Sequence, residues 1–459
     1  MRGFVVLLLL ACSPGLLAAQ AAPVPRTSFE GPALEFDFPG LHIGVAEYDE
    51  GPTGATVFYF PQGVMAAVDV RGGAPGTIGT DFLRLSYSSS FVDAISFAGG
   101  SSYGLAAATG AADAIRSMRE DAGSWGNIAT VPGAIIFDLG PRRFNAIVPD
   151  ETLGRAALRA ARPGRFPPGP RGAGRFAMQG GYYDSRGIMD RRQHSGQGGA
   201  FRQIGPTKVA VFTIVNSLGV IVDRQGRVAR CGGDPAAECG TAADLLARTL
   251  DQRTQGAPVA ALDPSSAGPT TNTTLTLVVT NQKLDIWALQ RLAVQVHTSM
   301  SRAIQPFHTQ QDGDVLFAVS TGEVENSALS PVDLGTVASE VAWDAVLGSV
   351  PPLPSAEAAV AAPAPAILAR YAGRYEFGPG VELTIVREGN RLFAQATGTR
   401  PVYGFALNER VELFPSSDTH FFSRNVRGDR LRFVRDRRNR VTGLEMNPGS
   451  WGLPARRLQ

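Results

Sequence analysis

The sequence predicts an α+β protein: a mixed strand-and-helix body over residues 22–350, a linker over 351–366 and a small all-β unit over 367–459. Three observations carry this. Between Leu41 and Ser320, β-branched and apolar runs with the form of buried strands alternate with stretches of helical period. Pro351 to Pro365, rich in Pro and Ala, reads as a linker. Beyond Ile367, short apolar runs recur at even intervals between turn residues, the pattern of a small antiparallel barrel or sandwich.

With 459 residues and 44% hydrophobic content the chain is long enough for two or three domains and a large core. Its 43 Lys and Arg nearly balance 41 Asp and Glu, which gives no reason to expect a nucleic-acid partner. Met1-Arg2-Gly3, an apolar run from Phe4 to Ala11 and the site Ala19-Gln20-Ala21 have the form of a secretory signal over residues 1–21, too short for a stable membrane span. A periplasmic or secreted protein is expected, with a lipoprotein anchored through Cys12 as the lesser alternative. Cys231 and Cys239 flank a short Gly-Gly-Asp-Pro loop and are either a small disulfide or two free thiols.

Along the body, Leu41 to Ala46, Ala55 to Phe60 and Val64 to Val70 read as three strands. The third runs into Arg71-Gly72-Gly73-Ala74-Pro75-Gly76-Thr77, where the backbone is open to close approach or turns through positive φ. Val92 to Phe97 is a strand, followed by Ala98-Gly99-Gly100-Ser101-Ser102-Tyr103-Gly104 and an alanine-rich helix to about Glu120. Gly100 to Gly104 spells G-x-S-x-G, so Ser102 is a candidate elbow nucleophile, although the later histidines show no distinctive setting. Val131 to Leu139 reads as a buried strand. Pro141 to Ser195, polar and rich in Arg and Gly, reads as a functional excursion or flexible segment with a helix near Asp150 to Ala161. Val209 to Val215 is a strand ending at Asn216, an oxyanion donor or a turn former. Leu284 to Ile304 reads as a helix whose Leu289, Leu292, Ala293, Val296, Met300 and Ala303 form a core stripe. Asp312-Gly313-Asp314 then enters a strand from Val315 to Ser320, as paired carboxylates on one face or as an Asp-Gly turn.

One junction stands out chemically. Asn272-Thr273 follows the Pro-, Ser-, Ala- and Gly-rich Ala257 to Pro269 and opens the apolar run to Thr280. If this bond were cut, Thr273 would carry a hydroxyl and an α-amine of pKa about 7.7 to 8, nucleophile and base on one residue. On this stretch alone, a threonine that merely opens a strand is the simpler reading.

Taken together, Arg71 to Thr77, Gly99 to Leu105, Val131 to Leu139, Val215 to Gly219, Asn272-Thr273-Thr274 and Asp312-Gly313-Asp314 with Val319 to Gly322 resemble the signature segments, in order, of the DmpA-type self-processing aminopeptidases. That family includes β-peptidyl aminopeptidases and NylC-type oligoamide hydrolases. The resemblance spans about residues 35 to 350. It implies an αββα sandwich of the N-terminal-nucleophile-hydrolase kind and self-cleavage into an α chain of about 22–272 and a β chain from Thr273. It also implies that Asn216 stabilises the oxyanion and that Asp312 and Asp314 orient the nucleophile. Arg71, Gly72, Gly73, Gly99, Gly100 and Ser101 fall in loops expected to meet the substrate or a closely approaching backbone. The chain departs from the family at Gln197-Gly198-Gly199, where a lysine often precedes the glycines; Lys208 and Arg202 are weak substitutes. The expected partner is a small peptide or amide, and the processed chains are expected to form a homo-oligomer; no metal or cofactor is required. Two rivals remain open: a serine hydrolase using Ser102, and a non-catalytic envelope-binding protein that acts through its C-terminal unit, which has sixteen arginines, no lysine and nine acids.

Overall fold

The computed structural model describes residues 22–49, 51–84, 90–120, 128–139, 147–183, 193–230, 240–255, 272–350, 361–378, 380–399, 401–402, 405–423, 429–447 and 452–458. The signal segment, Cys12, Cys231, Cys239 and most of the linker lie outside them.

The principal elements of the body are β1 (His42–Tyr48), β2 (Thr53–Val70), β3 (Phe91–Ala98), α1 (Ala106–Met118), β4 (Gly133–Ile135), α2 (Glu151–Arg159), β5 (Gln197–Ile204), β6 (Thr207–Asn216), α3 (Ala242–Thr254), β7 (Thr273–Gln282), α4 (Ile286–Ser299), β8 (Val315–Val324) and α5 (Pro331–Gly348). Their strands hydrogen-bond in the order β5-β6-β7-β8-β2-β3-β4, with β1 also on β2. The pairings β7 with β8 and β3 with β4 are parallel.

Side-chain alternation sorts this sheet into two layers. Phe212 of β6, Leu277 of β7, Phe317 of β8, Phe58 of β2 and Phe97 of β3 meet in one core between the layers. Their neighbours Val211, Val278 and Leu316 point the other way, under α4 and α5. Val57, Ala94 and Ala98 likewise pack under α1 and α2. The result is helices, sheet, sheet, helices: the αββα sandwich. The two strands expected at Ala55 to Phe60 and Val64 to Val70 are one strand, β2. Its first half pairs with β1 and β3 and its last six residues with β8; the register slips between Tyr59 and Val64. One strand therefore serves both layers, because Phe60 to Gly63 bends the pairing without interrupting it.

Two other expectations are corrected. Only Gly133–Ile135 of Val131 to Leu139 is strand. The described part of Pro141 to Ser195 is packed in place: Phe166, Ala173, Phe176, Ala177 and Met178 are buried. A Cβ on Gly172 would stand 2.2 Å from Thr56 Oγ1, and one on Gly174 2.4 Å from the Gln197 nitrogen. Glycine richness there permits close packing.

The C-terminal unit is a closed antiparallel barrel of eight strands, β9 (Gly373–Gly378), β10 (Val381–Glu388), β11 (Arg391–Ala396), β12 (Arg410–Pro415), β13 (His420–Ser423), β14 (Arg430–Arg435), β15 (Val441–Met446) and β16 (Leu453–Arg457). The sequence pattern shows seven of these. The eighth holds Pro454 and two arginines, which mask it, yet it closes the barrel by pairing with both β15 and β9. Phe176 of the body sits in the barrel's core cluster, and Arg175 donates to the carbonyl of Gly452 at 2.7 Å. Among the described residues no helix is long and apolar enough to cross a membrane.

Candidate active site

The strand order explains how residues far apart in sequence converge. β6 runs antiparallel to β7, so its last residue, Asn216, lies opposite the first of β7, Thr273. β8 runs parallel to β7, so the segment entering β8 lies beside the segment entering β7, and Asn272 bridges to Asp312. Asn216, Asn272, Thr273, Asp312 and Asp314 are each at most 3% exposed.

The bond between Asn272 and Thr273 is gripped at its carbonyl. The Asn272 oxygen accepts from the Gly313 N–H at 2.7 Å and from the Thr273 hydroxyl at 2.6 Å. A Cβ on Gly313 would lie 2.6 Å from Thr273 Oγ1 and 2.7 Å from the Ala74 oxygen, so only glycine fits between the two aspartates. Gly313 is a site residue the sequence reading passed over, although its place in Asp-Gly-Asp is a visible signal.

The carboxylates flank this grip and are held differently. Asp314 accepts from the Thr274 N–H at 2.7 Å through one oxygen; through the other it meets the His308 N–H at 3.1 Å and the His308 ring Nδ1 at 3.0 Å. Asp312 accepts from the Leu218 N–H at 3.3 Å and the Thr309 N–H at 2.9 Å. Burial, and then the neighbouring charge of Asp314, push the Asp312 carboxyl up to about 6. His308 has no distinctive setting in the sequence, because its partner is made only by the fold.

Asn216 reaches the site, but its amide is engaged: Oδ1 accepts from the Met178 N–H and Nδ2 donates to the Phe137 carbonyl, both at 3.0 Å. The backbone donor already on the Asn272 carbonyl is the Gly313 N–H. The glycine loop packs on the acid loop. Arg71 and Gly72 donate to the Asp314 carbonyl, Gly73 to that of Thr309 and Ala74 to that of Asp312. A Cβ on Gly72 would stand 2.2 Å from the Asp314 nitrogen. The backbone approached at this loop is the acid loop, and the Arg71 side chain pairs with Asp69 at 2.6 Å.

Gly99, Gly100 and Ser101 brace the other side. Gly100 donates to Asp138 at 2.8 Å and Ser101 to the Ile136 carbonyl at 3.0 Å, one residue from the carbonyl that holds Asn216. A Cβ on Gly99 would meet Asp138 at 2.4 Å. Ser102 is exposed on a 3-10 turn, and no hydrogen bond joins it to a histidine or carboxylate among the described residues. Lys208 and Arg202 do not replace the missing lysine: Lys208 pairs with Asp37 and lies eight residues, about 27 Å, along β6 from Asn216, and Arg202 pairs with Asp344. Gln197 is buried, accepting from Thr56 and donating to the Pro167 carbonyl.

Beside the acid loop opens a cavity of about 630 Å³, lined by Tyr182, Tyr183, Leu218, Leu246, Gln310 and Gln311 among others. Leu218 and Gln311 connect it to the site, the first through Asp312 and the second through its carbonyl, which accepts from the Asn272 N–H at 3.2 Å.

The model of peptidase family S58 matches residues 36–368, and that of DUF3471, a domain of unknown function, matches residues 357–453. The 6-aminohexanoate-oligomer endohydrolase of Paenarthrobacter ureafaciens is 41% identical over 344 residues, covering 73% of this chain and 90% of its own. An uncharacterized aminopeptidase of Mycobacterium tuberculosis (strain ATCC 25618 / H37Rv) is 35% identical over 315 residues, covering 65% of this chain and 85% of its own. The solved L-aminopeptidase D-Ala-esterase/amidase of Ochrobactrum anthropi aligns with 70% of this chain and 88% of its own at 15% identity and a TM-score of 0.45. On the span of the family model and the identity of the relatives, the chain belongs to peptidase family S58 and is a peptidase- or amidase-type hydrolase.

Proposed function

We propose that the chain cuts its own Asn272–Thr273 bond and that the freed Thr273 is the nucleophile of an exported amide hydrolase. The observation that carries this reading is the double grip on the Asn272 carbonyl, by the Thr273 hydroxyl and by Gly313, between two buried carboxylates. In the precursor, Thr273 Oγ adds to the Asn272 carbonyl carbon. The negative charge gathers on an oxygen that already accepts the Gly313 N–H, so little reorganisation is needed. The Thr273 nitrogen leaves with the hydroxyl's proton, an ester joins Asn272 to Thr273 Oγ, and water hydrolyses it to a carboxylate and a free amine. In the mature enzyme that amine takes the Oγ proton as Oγ attacks a substrate amide, then returns it to the leaving amine. Asp312 and Asp314 hold the amine and hydroxyl in register.

The substrate class follows from the cavity and the relatives. Leu218, Leu246 and the tyrosine rings make an apolar wall suited to methylene-rich chains, and the relatives at 41% identity are named for 6-aminohexanoate oligomers. Linear amides of ω-amino acids are therefore the first class to assay, with L-, D- and β-amino acid p-nitroanilides to test aminopeptidase action. The form of residues 1–21 supports export. A gel tests the reading: purified protein should run as two fragments, one beginning at Thr273 by N-terminal sequencing, and Thr273→Ala should run as one. Wild-type protein that stays full-length on long incubation sinks it.

A further inference from the structure

The oxygen of Asp314 turned away from Thr274 leads into a buried histidine pair that the chemistry above does not use. His308 closes on that oxygen twice, through its backbone N–H and through ring Nδ1. It does so at φ +57°, a conformation rare for a residue with a side chain. Its ring stacks on Phe307 and meets the ring of His297 edge to face, with centroids 4.2 Å apart. His297, fully buried on α4, is anchored in turn: its Nδ1 lies 2.9 Å from Asp69, which also takes Arg71.

The proton positions follow from what a carboxylate does. An ionised carboxylate only accepts, so Nδ1 carries the proton in both histidines. Their Nε2 atoms are buried, with no hydrogen-bond partner among the described residues. Burial holds His297 below the usual histidine range, and a second cation beside it would meet both desolvation and repulsion. His297 is therefore arranged to donate rather than to carry charge. The charged groups against the histidine pair are Asp314 from the loop entering β8 and, at the end of β2, Asp69 with its partner Arg71.

We propose that His308 is a positioning residue of the nucleophile: by gripping one oxygen of Asp314 it aims the other at the Thr273–Thr274 backbone, with His297 and Asp69 fixing the His308 ring from behind. The inference rests on Thr273 as the nucleophile. Displacing the groups that orient an attacking atom by about 1 Å costs about a hundredfold in rate, so the effect is measurable.

The test uses full-length chain made by pulse-labelled translation, with the appearance of the Thr273 N-terminus followed against time. His308→Gly keeps the backbone conformation accessible but removes the ring donor, and should slow cleavage by about tenfold or more. His308→Asn tolerates positive φ and places an amide N–H near the position of Nδ1; it should restore the rate. A His308→Gly chain with the wild-type rate overturns the proposal, as does a folded His308→Asn chain no better than His308→Gly. Should His308→Gly fail to fold, Asp69→Asn decides: it unties His297, and an unchanged rate overturns the proposal while a slower rate in a chain that melts like wild type supports it. Wild-type chain that never yields a Thr273 N-terminus would instead refute the nucleophile assignment itself.

Discussion

The two parts of this molecule treat buried polarity in opposite ways. At the site end of the sandwich, Asn216, Asn272, Thr273, Asp312, Asp314 and Asp138 are all buried within a few residues of one peptide bond. In the barrel the described buried side chains are apolar or tyrosine, apart from Ser423 and Asp429, and Asp429 is held by Asn447. Its charges stand outside as cross-strand pairs: Arg374 with Glu382, Arg391 with Glu412, Arg410 with Glu388 and Arg432 with Glu445. Burying a polar group is costly unless it is paired. The sheet end keeps six of them together, whereas the barrel keeps nearly all of its described polar groups in solvent. The cross-strand pairs engage some of the barrel's arginines; with sixteen arginines against nine acids the unit stays basic.

That contrast can be broken most sharply at the bond itself. Thr273→Ala should abolish both fragment formation and amide hydrolysis, and Gly313→Ala should come close, because its Cβ would intrude to 2.6 Å from Thr273 Oγ1. Melting temperatures near wild type would show that the loss is chemical.

Next is the pH response of Asp312. The folded chain holds its proton up to about 6, while an unfolded aspartate releases it near about 3.9. Between those values the folded state binds more protons, so this group's contribution makes stability fall as pH rises through the window, by about 2–3 kcal/mol in all. Asp312→Asn should flatten that slope in melts taken from pH 4 to 7, and the wild-type rate should drop as pH falls below about 6. A parallel pH dependence of the two proteins would remove Asp312 as a buried, proton-holding group.

The barrel side of the comparison predicts smaller and different effects. Phe176→Ala removes an aromatic ring from the barrel's core cluster and should cost about 3 kcal/mol of stability while leaving the Asn272–Thr273 cut in place. Smallest of all, Arg410→Ala should shift stability by less than about 1 kcal/mol, since its pair with Glu388 is exposed. A loss of hydrolysis from the Arg410 change would mean that the barrel takes part in the chemistry.

Much of this was legible in the sequence, and what was legible is local. Alternation and β-branching mark β6, β7 and β8, the linker composition marks the change of character, and even spacing marks seven barrel strands. Asn216, Thr273 and the Asp312/Asp314 pair each sit at the end of such a strand, so strand pattern and residue type together nominate them. The resemblance to a known family then orders them. What was not legible depends on contacts with no local trace. Asp69 and His297 are 228 residues apart, and nothing near either announces the other. The glycines of Arg71 to Thr77 announce that something comes close, but only the fold shows that it is the acid loop. The amide of Asn216 is a free donor on paper and is bound to Met178 and Phe137 in space. Side-chain period is a property of a few consecutive residues and survives in the sequence; which surfaces then meet depends on how one long strand, β2, passes from one layer to the other, and that is fixed only when the whole sandwich packs.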